Sequence, residues 1–98
     1  MYLLFITSTK PLQELEPVFP AHNAYLDANY QAGNILLNGE LTAKPTIVLL
    51  ANVTSEEELH AMLAEDPFVR EHLVDIEEIE FKPSRYHQSL ASLIAPTV

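Results

Sequence analysis

Tyr2-Leu3-Leu4-Phe5-Ile6-Thr7-Ser8 is apolar at five consecutive positions, odd and even alike. Side chains along a strand alternate between faces, so both faces of this segment carry apolar groups. Such a strand belongs at the centre of a sheet that is covered on both sides. Thr46-Ile47-Val48-Leu49-Leu50-Ala51-Asn52-Val53 repeats the pattern. These two segments decide the fold, and the rest of the chain is read outward from them.

Between them, Leu15, Val18 or Phe19, His22, Tyr25 or Leu26, and Asn29 recur at helical spacing. Pro17 and Pro20 suit a first turn but would kink a helix interior. The spacing therefore predicts a loose start and a regular helix over residues 19–32, with Gly33 as its left-handed C-terminal cap. Residues 35–41 read as a second strand, in which Gly39 marks a bulge or a close approach by another group. Thr42-Ala43-Lys44-Pro45 forms a turn into the strand at residues 46–53. Ser55 followed by Glu58 is a capping box. It opens a helix over residues 56–65 with Leu59, Met62 and Leu63 inward. Asp66-Pro67 starts a further helical turn ending near residue 71. Residues 74–81 form the last strand. Its apolar phase moves from Val74 and Ile76 to Ile79 and Phe81, which predicts a bulge between Glu77 and Glu78.

The order β-α-β-β-α-β is that of a split βαβ unit, an α+β four-stranded antiparallel sheet with its helices on one face. The two doubly apolar strands then present a second apolar face with nothing in the chain to cover it. A homodimer packing sheet on sheet is the expected solution.

Ninety-eight residues of 11.0 kDa suffice for one domain, placed at residues 1–83, with residues 84–98 as a tail or arm. Five basic against fourteen acidic residues, a net charge of −9, repels phosphate backbones and argues against a nucleic-acid partner. With no cysteine there is no disulfide, thiol nucleophile or thiolate metal site. The only glycines are Gly33 and Gly39, too few for a phosphate-cradling loop, and no His-Glu-x-x-His occurs; neither a cofactor nor a metal is expected. The N-terminus lacks a basic region, and the apolar runs are too short for a membrane span, so a cytoplasmic location without membrane contact is expected.

Two residues are candidates for chemistry. His22 lies on the inward helical stripe, where an imidazole serves either as a satisfied half-buried polar group or as a general acid–base group near neutral pH. Asp66 suits an N-cap before Pro67, and a carboxylate there can also reach an imidazole and fix its tautomer. Their separation of 44 residues does not itself bring them together. Glu56 and His60, one turn apart, read as a solvated helix face.

The string Pro20-Ala21-His22-x-x-Tyr25-Leu26, then Gly33, Leu37-x-Gly39, Asp66-Pro67-Phe68, Phe81-x-Pro83 and Arg85-Tyr86 resembles the YciI-like (YCII-related) family over nearly the whole chain. The resemblance implies a ferredoxin-like α+β domain that dimerises into an α+β barrel. It implies that His22 and Asp66 form a catalytic dyad in a pocket, and that no cofactor is used. A relative in that family eliminates chloride from a chlorinated aromatic-pathway compound, and muconolactone isomerases share the wider fold. Two departures stand out. Gly39 is followed by Glu40 where many members have proline, and residues 42–45 contain no glycine.

The expected function is therefore acid–base chemistry of isomerase, lyase or dehydrochlorinase type on a small organic molecule. His22 and Asp66 are catalytic, and Tyr25, Gly39 and Phe68 form substrate-binding walls. The alternative is a dimeric module that binds a small ligand or regulates without catalysis.

Overall fold

The computed structural model describes residues 1–94. Strand β1 (Tyr2–Ser8) leads through a short helix α1 (Leu12–Leu15) and a 3-10 turn (Glu16–Val18) into helix α2 (Phe19–Gln31). Strands β2 (Ile35–Glu40) and β3 (Thr46–Ala51) follow, then helices α3 (Glu56–Leu63) and α4 (Pro67–Arg70) and strand β4 (Val74–Glu80). The broken start before residue 19 is where Pro17 and Pro20 sit. Gly33 adopts φ +78°, the left-handed cap read from its position.

The sheet order is β2-β3-β1-β4, with every pairing antiparallel. The two doubly apolar strands, β1 and β3, occupy the centre. On one face Tyr2, Leu4 and Ile6 join Leu49 and Ala51 and are buried under Leu59, Met62 and Leu63 of α3, with Tyr25 and Leu26 of α2 packed alongside. Leu4, Ile35 and Leu59 are the largest side chains removed from solvent completely. Both long helices therefore share one face.

The other face carries Leu3, Phe5, Val48 and Leu50, all half-buried, flanked by Leu37 at 56% and Ile79 at 43% exposure. Both long helices lie on the opposite face.

Two expectations about strand irregularities are corrected. The β1–β4 register runs unbroken from Tyr2↔Glu80 to Ser8↔Val74, so no bulge separates Glu77 from Glu78. The change of apolar phase has another cause. Ile79 pairs with Leu3 and lies on the open face, whereas Glu78 pairs with Leu4 on the helix face and meets His60 of α3. A strand whose two faces meet different surroundings switches its apolar side without slipping. Gly39 marks no bulge, and no other part of the chain closes on it, since a Cβ there would meet no protein atom within 4 Å. The irregularity in β2 lies between Ile35 and Leu37, where the register against Ala51 and Leu50 shifts. It lets Ile35 enter the helix-side core and Leu37 face outward.

Beyond β4, Phe81 N–H donates to the carbonyl of Met1, a 3-10 turn spans Gln88–Leu90, and Asn52 Nδ2 donates to the carbonyl of Leu93 at 2.6 Å. Residues 95–98 of the tail lie outside the described residues.

Candidate active site

Asp66 ends the loop after α3 with extended backbone and caps α4, accepting the backbone N–H of Phe68 at Oδ1 over 3.0 Å. Pro67 at the first helical position needs no hydrogen-bond partner for its nitrogen, which leaves the Phe68 amide as the first donor to satisfy. Asp66 is 2% exposed. The same Oδ1 lies 2.9 Å from Nδ1 of His22, which projects from α2. An ionised carboxylate only accepts, so Nδ1 donates and Nε2 is left as the ring's free nitrogen. The 44-residue gap is closed because α2 and α4 pack against each other.

The imidazole is also held by its face. The Phe68 ring stacks on it with centroids 3.9 Å apart and planes within 14°. Phe19 meets Phe68 edge-on at 5.9 Å. Leu15, Phe68 and Leu73 form a small second core under this arrangement, with Val18 and Val74 against it.

His22 opens onto a cavity of about 540 Å³ between α1, α2 and the sheet. That volume lies within the usual range for a small-molecule site, about 300–1,000 Å³. Its apolar wall includes Leu15, Phe19, Leu26, Ile47 and Phe68, and its polar lining comes from Ser8, Asn23, Asn38, Glu40 and Lys44. Asn38 is fixed from behind, because the Tyr30 hydroxyl donates to its Oδ1.

Of the side chains expected at the site, His22 and Phe68 line this cavity, and Asp66 sits behind His22 in contact with it. Tyr25 lines a second cavity beside Asn29 and Met62. Its ring lies 6.3 Å from that of His22, and its hydroxyl donates to the carbonyl of Met62 at 2.8 Å. Burial, helped by the charges of Asp66 and Glu65, pushes the Tyr25 phenol far above its ordinary pKa, so it remains protonated. Gly39 lies between Asn38 and Glu40, two residues that do line the cavity. The roles of Asn23, Asn38 and Lys44 as lining had no signal in the sequence beyond their polarity.

Residues 1–82 match the YCII-related domain. The chain belongs to this family. No functionally curated protein matches the sequence. Among solved structures, the chain is similar to 5-chloro-2-hydroxyhydroquinone dehydrochlorinase from Burkholderia phenoliruptrix AC1100, solved in complex with 2,5-dihydroxybenzoquinone. The TM-score is 0.67 at 24% identity, covering 84% of this chain and 94% of the other. At that identity the likeness establishes a shared fold.

Away from this cavity, Glu56, His60 and Glu78 lie exposed with their ligand atoms within 4.8 Å of one another. His60 Nε2 is 2.9 Å from Glu78 Oε1, and this bond, reinforced by the charges of Glu78 and Glu56, raises the imidazole pKa above its ordinary value despite partial desolvation. Among the described residues no helix is long and apolar enough to cross a membrane.

Proposed function

We propose that this YCII-related chain is a small enzyme that needs no cofactor and performs acid–base chemistry on a small organic molecule. His22 acts as the proton-transfer group and Asp66 as its fixed partner. One observation carries the reading: His22, gripped from behind by Asp66, lines a cavity of substrate size and is not sealed in dry core. With Nδ1–H engaged by Asp66, the lone pair of Nε2 is free to take a proton from the substrate. The Asp66 carboxylate balances the positive charge that forms on the ring. The same proton is then returned at another carbon, which gives isomerisation, or it stays on the ring while a leaving group such as chloride departs, which gives elimination. The likeness to a dehydrochlorinase and the apolar cavity wall both favour ring compounds as substrates.

The working unit in this proposal is a homodimer joined through the open sheet faces. Leu3, Phe5, Val48 and Leu50 supply the apolar surface that such an interface buries.

The test is a panel of chlorinated and unchlorinated di- and trihydroxybenzenes in deuterated water, monitored for chloride release and for deuterium entering carbon positions. His22→Ala is expected to lose turnover by about 10²–10⁴-fold while the fold and the oligomer persist. Undiminished turnover in that variant refutes the assignment.

A further inference from the structure

We infer that Phe68 is a positioning residue for His22, holding the imidazole from its face while its own backbone amide holds the carboxylate that grips the imidazole edge. The inference rests on His22 being the acid–base group, and it goes beyond a role for Phe68 as cavity wall.

A single hydrogen bond from Nδ1 to Asp66 leaves the ring free to pivot about the N–H···O line. A second restraint is needed to aim Nε2. The Phe68 ring supplies it, lying nearly parallel to the imidazole at 3.9 Å. Aromatic pairs more often have centroids about 4.5–7 Å apart. This stack is tighter, and it blocks the tilt that the hydrogen bond permits.

Phe68 is itself immobilised. It is 8% exposed, wedged between Leu15 and Leu73, and met edge-on by Phe19. Its backbone N–H donates to Asp66 Oδ1 and its carbonyl accepts Leu73 N–H at 2.9 Å. One residue thus fixes both members of the pair: the carboxylate through its main chain and the imidazole through its ring. One face of His22 is therefore closed to ligand. A substrate must offer its acidic proton in the ring plane, at Nε2, and cannot stack on the Phe68 side.

The experiment uses the full chain with ¹⁵N-labelled histidine. Three readouts are taken: the Nδ1–H proton resonance and its exchange with water, the ¹⁵N shifts of both ring nitrogens, and the melting temperature. Wild type is expected to show a slowly exchanging Nδ1–H and one well-defined tautomer for His22. Phe68→Leu keeps the backbone amide but removes the ring. It is expected to lose the Nδ1–H resonance and to move the two ¹⁵N shifts toward each other, and Phe68→Tyr should restore both. Ile35→Ala loosens the main core, to which neither Phe68 nor its neighbours Leu15 and Leu73 belong; it should lower the melting temperature and leave the His22 signals in place.

The inference is overturned if Phe68→Leu keeps the wild-type resonance and shifts, or if Ile35→Ala loses them equally. If Phe68→Leu does not fold, Phe68→Met is read by the same criteria. None of these readouts needs turnover. Intact clamping in a chain that turns over no substrate removes the enzymatic reading alone. Turnover that depends on His22 but is matched by unchanged His22 signals in Phe68→Leu removes the clamp alone.

Discussion

Removing the Asp66 carboxylate should cost two interactions, and the structure allows them to be separated. Oδ1 accepts both the Phe68 amide, at 3.0 Å, and His22 Nδ1, at 2.9 Å. Loss of an N-cap costs about 1 kcal/mol. A hydrogen bond to a charged acceptor contributes about 1.5–3 kcal/mol. The side chains of His22 and Asp66 are 17% and 3% exposed, so solvent screening discounts this pair little. Asp66→Ala should therefore destabilise by about 2.5–4 kcal/mol, the sum of the two terms. In a His22→Ala background the same change removes only the cap, about 1 kcal/mol. The double-mutant cycle should then return a coupling of about 1.5–3 kcal/mol. Urea unfolding of the four proteins at one protomer concentration and one pH measures it, the fixed concentration removing any mass-action contribution from dimerisation. Asp66→Asn provides a check, since asparagine caps as well as aspartate and should retain the cap term. A coupling within about 0.5 kcal/mol of zero, the usual limit for independent sites, would refute the pair as an energetic unit.

Three further outcomes follow from single features. His72 closes the turn after α4 with φ +56°, a conformation costly for a residue with a Cβ, so His72→Gly should raise stability by up to about 1 kcal/mol; a lower melting temperature contradicts this. The His60 pKa is raised by Glu78, so this pair contributes stability that is fully present below the unfolded value of 6.5 and is lost as pH rises through the folded value. NMR titration should place the His60 midpoint above 6.5, and the stability difference between wild type and His60→Ala should shrink as pH rises through that midpoint; a midpoint at or below 6.5 contradicts the pairing. Val48→Asp puts a charge at the middle of the open sheet face and should convert a dimer to a folded species near 11.0 kDa in sedimentation, whereas an unchanged mass would exclude that face as the interface.

The strand order and the shared helix face were legible because β1 and β3 are apolar at successive positions, a pattern that only a central strand tolerates. Helix boundaries near Gly33, Ser55 and Asp66 were legible because caps are local chemistry: Ser55 does accept the Glu58 amide, and Asp66 the Phe68 amide. The irregularities were misplaced for a nonlocal reason. The phase change in β4 reflects what covers each face, with His60 of α3 drawing Glu78 to the helix side, and a strand read alone shows only the alternation. The bulge in β2 falls among Ile35, Leu36 and Leu37, three similar aliphatic residues, so the sequence carries no mark where the register shifts. At the site, His22 and Asp66 stood out by residue type. The stacking of Phe68 on His22 depends on how α4 meets α2, which no local pattern encodes. Asn38 came to the cavity from within β2, and Lys44 through the path of the β2–β3 connection.

Asp66 explains why packing and chemistry were hard to separate from residue types alone. An aspartate before proline satisfies a helix start, and a carboxylate near an imidazole satisfies a site; here one oxygen atom does both. The sharing has a physical advantage in a chain this small. A carboxylate held by a backbone amide cannot swing to solvent when the ring beside it loses or gains a proton. The imidazole, anchored at Nδ1, is then left with Nε2 as its free nitrogen in a ring that lines the cavity. Most of the −9 charge is spent on exposed carboxylates at helix starts and along β4, and the buried pair takes its order from short local bonds. The expected consequence is that neutralising exposed carboxylates such as Glu57 and Glu77 leaves the pair intact, whereas any change that unwinds the single turn of α4 disconnects the cap, the stack and the imidazole together.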